Sequence, residues 1–99
     1  LGVIVQPVTG AIAQELQLPS DARGLLVTDV TPGGPAWNLL FDEEAGGPDV
    51  IVAVEGKAVK TEAELRNALR AEPPGSVVTL RVYNPRQQSR RVERVRMAE

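Results

Sequence analysis

Leu1-Gly2-Val3-Ile4-Val5-Gln6-Pro7-Val8 opens the chain and decides how the remainder is read. A glycine leading into alternating β-branched residues reads as a strand entered through a permissive backbone turn. Its counterpart lies far downstream. Thr61-Glu62-Ala63-Glu64 is a capping box, in which the Thr61 hydroxyl accepts from the Glu64 amide while Glu64 reaches back to Thr61. It starts an amphipathic helix over residues 61–70 whose apolar stripe is Leu65, Ala68 and Leu69. A strand and a helix side by side leave a slot. In it an extended peptide pairs with the strand edge and sends its side chains into pockets against the helix.

Between these two elements the chain alternates strands and turns. After Thr9-Gly10, residues 11–16 carry apolar side chains at 12, 13 and 16 and predict a short helix, ended before Pro19. Residues 24–30 predict a second strand, with Leu26, Thr28 and Val30 on one face and Leu25, Val27 and Asp29 on the other. Thr31-Pro32-Gly33-Gly34 is a turn, and Pro35 predicts the first position of a helix through Leu40. Trp37, the sole tryptophan, is expected to cap the core. Residues 41–48 are acidic and rich in helix breakers, hence a surface loop without the ligand spacing of a calcium site.

Residues 49–54 are the most apolar run and predict a buried central strand, turned by Glu55-Gly56 into Lys57-Ala58-Val59. After the helix, Val78, Leu80 and Val82 form the core face of a strand over 77–83. Residues 89–97 return as a last strand. Its apolar positions Val92, Val95 and Met97 do not share one parity, which predicts a bulge or fraying. Arg81, Arg86, Arg90, Arg91, Arg94 and Arg96 crowd this end without interleaved aromatics, the pattern of an edge guarded by charge and not of a nucleic-acid surface.

Composition narrows the function classes. Ninety-nine residues, 42% hydrophobic and 24% charged, fit one globular domain with a real core. With no histidine, a Ser-His-Asp or Cys-His triad cannot be completed within the chain. With no cysteine there are no disulfides or thiolate zinc sites. Ser20, Ser76 and Ser89 sit in polar turns, and Lys57 and Lys60 in a solvated hairpin, so catalytic and metal-ligating residues are expected to be none. The net charge of −2 argues against a general nucleic-acid binder. No apolar stretch approaches the roughly 18 residues that span a bilayer.

The ordered set of Leu-Gly-Val-Ile strand, short helix, Arg-Gly-Leu-Leu-Val strand and Pro-Gly-Gly-Pro-Ala segment continues with an Asp-Val-Ile-Val-Ala-Val-Glu-Gly-Lys-Ala-Val hairpin, a Thr-Glu-Ala-Glu-Leu-Arg helix and Pro-Gly-Ser-Val-Val-Thr-Leu. The whole resembles a bacterial PDZ domain of the type that follows the protease domain in HtrA/Deg serine proteases. The resemblance implies an α+β fold, mainly β. It would be a partly open antiparallel barrel of five or six strands with two main helices, in the circularly permuted bacterial order that puts the peptide-binding strand first. The chain, residues 1–99, is then expected to be one PDZ domain excised from a longer protein.

The family's carboxylate-binding loop maps onto Leu1, Gly2 and Val3, whose amides are implied to hold a ligand's C-terminal carboxylate as a backbone anion nest. The implied peptide groove is Val3, Ile4, Val5, Glu62, Arg66 and Leu69. Glu62 stands where histidine is common in peptide-binding members, and is expected to disfavour acidic ligand residues. The implied partners are C-terminal or unfolded peptides and an attached protease domain, with no cofactor, no nucleic acid and no membrane insertion. The implied place is the bacterial envelope or periplasm, in protein quality control. The alternative is an adaptor or scaffolding PDZ domain of a secretion system or membrane-embedded protease, its groove shut or given over to assembly. In that case Leu1, Val3 and Val5 would simply be core.

Overall fold

A computed structural model describes residues 3–19, 22–37, 39–42, 44, 46–73 and 75–96. Six strands form one antiparallel sheet: β1 (Val3–Pro7), β2 (Leu25–Val30), β3 (Val50–Val54), β4 (Lys57–Ala58), β5 (Val77–Asn84) and β6 (Ser89–Arg96). Their order is β1-β2-β3-β5-β6, with β4 paired to β3, so the sheet does not close and β1 and β6 are its margins. Two helices accompany it, α1 (Gly10–Glu15) and α2 (Glu62–Arg70).

The sheet is covered on both faces. On one, Leu25, Val27, Val30, Ile51, Val54, Val78, Leu80, Val82 and Val95 form the main core with Leu65 of α2. On the other, Leu26, Val50 and Tyr83 meet Ala13, Leu18 and Ala22 around α1. Strand alternation explains why Leu25 and Leu26 enter different clusters. Alternation then breaks at two points. Ile4 pairs with Asp29 and Val5 with Val27, leaving Thr28 as an extra residue. Ile51 pairs with Val82 and Ala53 with Arg81, leaving Val52 as another. Each bulge returns a residue three positions on to the same face, so Val30 joins Val27 in the main core and Val54 joins Ile51. The expected two faces of β2 therefore hold up to Thr28 and fail at Val30.

Close backbone approach fixes the entry to β2. A Cβ on Gly24 would stand 1.9 Å from the Ile51 carbonyl oxygen, so the β2–β3 contact admits no side chain there. The β3–β4 hairpin turns at Glu55 and Gly56 with φ of 50° and 81°, the left-handed pair that a two-residue hairpin needs.

Three expectations are corrected. The Pro35 helix is a succession of turns: Trp37 N donates to Gly34 O and Leu39 N to Ala36 O, with one helical bond among the described residues, from Leu40 N to Ala36 O. So short a segment cannot repay helix nucleation, and burial of Ala36 and Leu40 shapes it instead. Trp37 does not cap the core; it is 45% exposed. β6 carries no bulge against β5, its register running unbroken from Arg96 opposite Val77 to Ser89 opposite Asn84. The parity conflict resolves because Val92 faces solvent while Val95 is buried, and Met97 lies outside the described residues.

The acidic loop is anchored from within. Asp49, fully buried, accepts from Phe41 N (2.8 Å), Asn84 Nδ2 (3.1 Å) and Arg91 Nη1 (3.1 Å), and also pairs with Arg91 Nη2. Arg91 Nη2 reaches the Leu39 carbonyl as well (3.0 Å), and the guanidinium lies over the Phe41 ring. The basic run of β6 makes Arg91 look like one of several edge charges; it is the counterion of a core carboxylate.

Candidate functional site

α2 is set in place by its first turn. Glu64 N donates to Thr61 Oγ1 (3.1 Å), and Glu64 Oε1 accepts from Lys60 N (3.2 Å) and from the Thr61 hydroxyl (3.3 Å). The reciprocal bond of the capping box thus goes to the Lys60 amide. Leu65 is 5% exposed and holds the helix to the core, while Ala68 and Leu69 are half-buried beside it. One turn apart on the outer flank, Arg66 and Glu62 form an ion pair with side chains 56% and 58% exposed.

β1 presents one flank to β2 and the other to this helix. The Thr28 hydroxyl donates to Ile4 O (3.0 Å), and Val8 N donates to Gly24 O (3.1 Å). In an extended strand the N–H and C=O of one residue point the same way and those of the next point oppositely. Ile4, Gln6 and Val8 therefore address β2, and Val3, Val5 and Pro7 address the open flank. Among the described residues no strand pairs there.

Between that flank and α2 lies a cleft of about 230 Å³, lined by Val3, Ile4, Val5, Glu62, Leu65, Arg66 and Leu69. The six groove residues named from the family resemblance are thus neighbours in space. Leu1 and Gly2, which complete the implied carboxylate loop, lie outside the described residues. Val3 and Val5 pack against the main core and line the cleft as well, whereas Ile4 is 61% exposed. The apolar stripe alone gives Leu65 to the core, yet it serves core and cleft together. Its spacing, three residues after Glu62 and four before Leu69, is the signal that places it on the same wall. The arrangement offers backbone donors and acceptors, an aliphatic floor and a charged lip. It offers no nucleophile–base pair, and no metal-ligating cluster occurs among the described residues.

A larger recess, about 350 Å³, lies across the sheet between Val52, Arg81, Tyr83, Arg90 and Val92. It lies against β3, β5 and β6, with Arg90 over the Tyr83 ring, and no helix faces a strand edge across it. The smaller cleft is the one in which a free strand flank faces a helix, the arrangement suited to an extended chain.

A family model described as PDZ domain matches residues 1–91. The chain belongs to the PDZ family. This PDZ domain is 42% identical over 82 residues to a Chlamydia trachomatis protein named "Probable periplasmic serine endoprotease DegP-like", covering 83% of the chain and 16% of that protein. A Rhizobium meliloti protein of the same name is 38% identical over 85 residues, with 84% and 16% covered. The PDZ domain thus spans about a sixth of the length of these relatives. Among solved structures, the HtrA3 PDZ domain bound to a phage-derived ligand (FGRWV) superposes with a TM-score of 0.75 at 23% identity, over 97% of this chain and 81% of that one. The HtrA-type protease AlgW with a decapeptide gives 0.74 at 23% identity, over 99% and 28%. These two share the fold of this chain, which here is an open six-stranded sheet with two helices.

Proposed function

We propose that the β1–α2 cleft takes up the C-terminal end of a peptide as an added strand. The domain would do so for a DegP-like serine endoprotease of the bacterial periplasm, to which it is attached, selecting or reporting damaged substrates. The observation that carries this reading is the free flank of β1 facing α2 across an unfilled cleft. Main-chain bonds from Val3 and Val5 supply affinity common to all sequences, and the Leu65–Leu69 wall receives an aliphatic or aromatic side chain. The amides of Leu1, Gly2 and Val3 are the proposed seat of the terminal carboxylate. Each hydrogen bond to a charged group there is worth about 1.5–3 kcal/mol. The DegP-like names of the relatives, and the peptide ligands named with the two structural neighbours, support the reading.

The unfilled cleft favours uptake over a shut, assembly-dedicated groove. The deciding experiment is a calorimetric titration with Phe-Gly-Arg-Trp-Val as free acid and as C-terminal amide. Binding of the acid with loss on amidation is expected. Failure of both to bind overturns the proposal.

A further inference from the structure

Strand alternation sorts the β5–β6 hairpin onto two faces. Val78, Leu80, Val82 and Val95 enter the main core. The opposite face receives Val77, Thr79, Arg81 and Tyr83 from β5, and Arg90, Val92, Arg94 and Arg96 from β6. Half of these side chains are arginines and none is a carboxylate, in a chain whose net charge is −2. The cluster around α1 buries Tyr83 at one end of this face; beyond it Arg81, Val92, Arg94 and Arg96 are exposed. Val92, 57% exposed, sits at the centre of the charge. Arg81 lies directly across from it on β5, and Arg90 and Arg94 stand two residues away on either side. Like charges on neighbouring positions of one sheet face repel. The nearby carboxylates do not relieve this: Glu93 faces the other way and pairs with Arg91, and Glu55 directs Oε1 to Thr79 N (2.7 Å). Among the described residues no ion pair engages Arg81 or Arg94.

We infer that this face is a second docking surface, for an acidic segment of another protein. The segment would seat one large apolar side chain in the recess of about 350 Å³ lined by Val52, Tyr83 and Val92, and set carboxylates against Arg81 and Arg94. Guanidinium forks match carboxylates in shape as well as charge. A permanently covered face would be apolar, like a core cut in half, whereas arginines around a few valines suit a reversible, charge-steered contact. A second copy of the same face is disfavoured, because it would set arginines against arginines. Nucleic acid lacks a stacking platform, since Tyr83 is 6% exposed with Arg90 over its ring. The inference is independent of peptide uptake by the β1–α2 cleft.

The test is an NMR titration of the domain with acetyl-Gly-Glu-Asp-Phe-Asp-Glu-Gly-amide, whose blocked ends keep a terminal carboxylate from the cleft. Amide shifts are expected at Arg81 and over residues 90–94, and not at Val3, Val5 or Leu69. Glycine in place of phenylalanine in the peptide weakens binding about fivefold or more. Arg81→Gln combined with Arg94→Gln weakens it about three- to thirtyfold, and added salt weakens the wild-type complex. Both arginines are exposed, and the double variant unfolds at no lower urea concentration than wild type, because it relieves repulsion. A destabilised double variant would assign these arginines to the fold and overturn the inference. So would equal binding by the double variant, equal binding of the peptide without phenylalanine, or shifts confined to β1 and α2. Arginine-dependent self-association in sedimentation, or tighter arginine-dependent binding to phosphatidylglycerol vesicles than to the peptide, would overturn the choice of partner and the inference with it.

Discussion

Arg91 and Asp49 meet through both carboxylate oxygens, 42 residues apart in sequence, joining the outermost strand β6 to the base of the acidic loop. Asp49 is wholly buried and Arg91 about a quarter exposed. Removing the guanidinium leaves an uncompensated buried charge. Arg91→Met is expected to lower unfolding free energy by about 3–5 kcal/mol in urea denaturation. The hydrogen bond to Asp49, above all, raises the Arg91 guanidinium above its already high ordinary value. A group raised on folding contributes fully below its unfolded value, and that value is strongly alkaline. The stability gap between wild type and Arg91→Met should therefore be constant between about pH 7 and 9.

Two glycines predict opposite signs. Gly24→Ala forces a Cβ to 1.9 Å from a backbone oxygen that belongs to the central strand, and should cost about 3 kcal/mol or more. At Gly10, the first residue of α1, an added Cβ meets nothing within 4 Å. Gly10→Ala should stabilise by about 0.4–1 kcal/mol, chiefly by restricting the unfolded chain. Thermal and urea unfolding of the pair checks both.

Leu69 supplies apolar area to the cleft without being fully committed to the core. Leu69→Ala is expected to weaken binding of Phe-Gly-Arg-Trp-Val by about 1–2 kcal/mol, roughly five- to thirtyfold. Val92→Ala, at an exposed position across the sheet, should leave it unchanged. Equal losses from both variants would dissociate the cleft from binding.

Glu62 does not act as an isolated charge. Arg66 pairs with it on the exposed lip, so any repulsion it would exert on an acidic residue of a ligand bound as proposed is partly cancelled. Both side chains are more than half exposed, and the effect is accordingly modest, about 0–1 kcal/mol. Arg66→Ala should increase discrimination against a peptide carrying glutamate two residues from its end, relative to glutamine, by a few-fold at low salt. A difference that persists undiminished at high salt would contradict this electrostatic origin.

Local chemistry makes much of this molecule legible. Val78, Leu80 and Val82 alternate into the core because a half-buried strand has period two, and Thr61 caps α2 because its hydroxyl has an orphan amide to satisfy. The bulges at Thr28 and Val52 are not legible: each sits in or beside a continuous apolar run, where a residue turned to either face is still apolar. The Pro35 segment carries a good helix start but too little length. Arg91 looks like its neighbours in a basic strand, since nothing nearby in sequence announces a carboxylate on another element. The cleft follows from one strand and one helix, each with its own local signature.

The placement of α2 has a consequence for how the molecule behaves in company. A bare strand margin ordinarily seeds stacking, because each newcomer exposes a fresh margin to the next. Here a chain docked as proposed would be flanked by β1 on one side and by the helix on the other, and would offer nothing for a successor to join. On the proposed reading the β1 margin is therefore a socket and not a seed, taking one guest per copy and passing no fresh edge to the next.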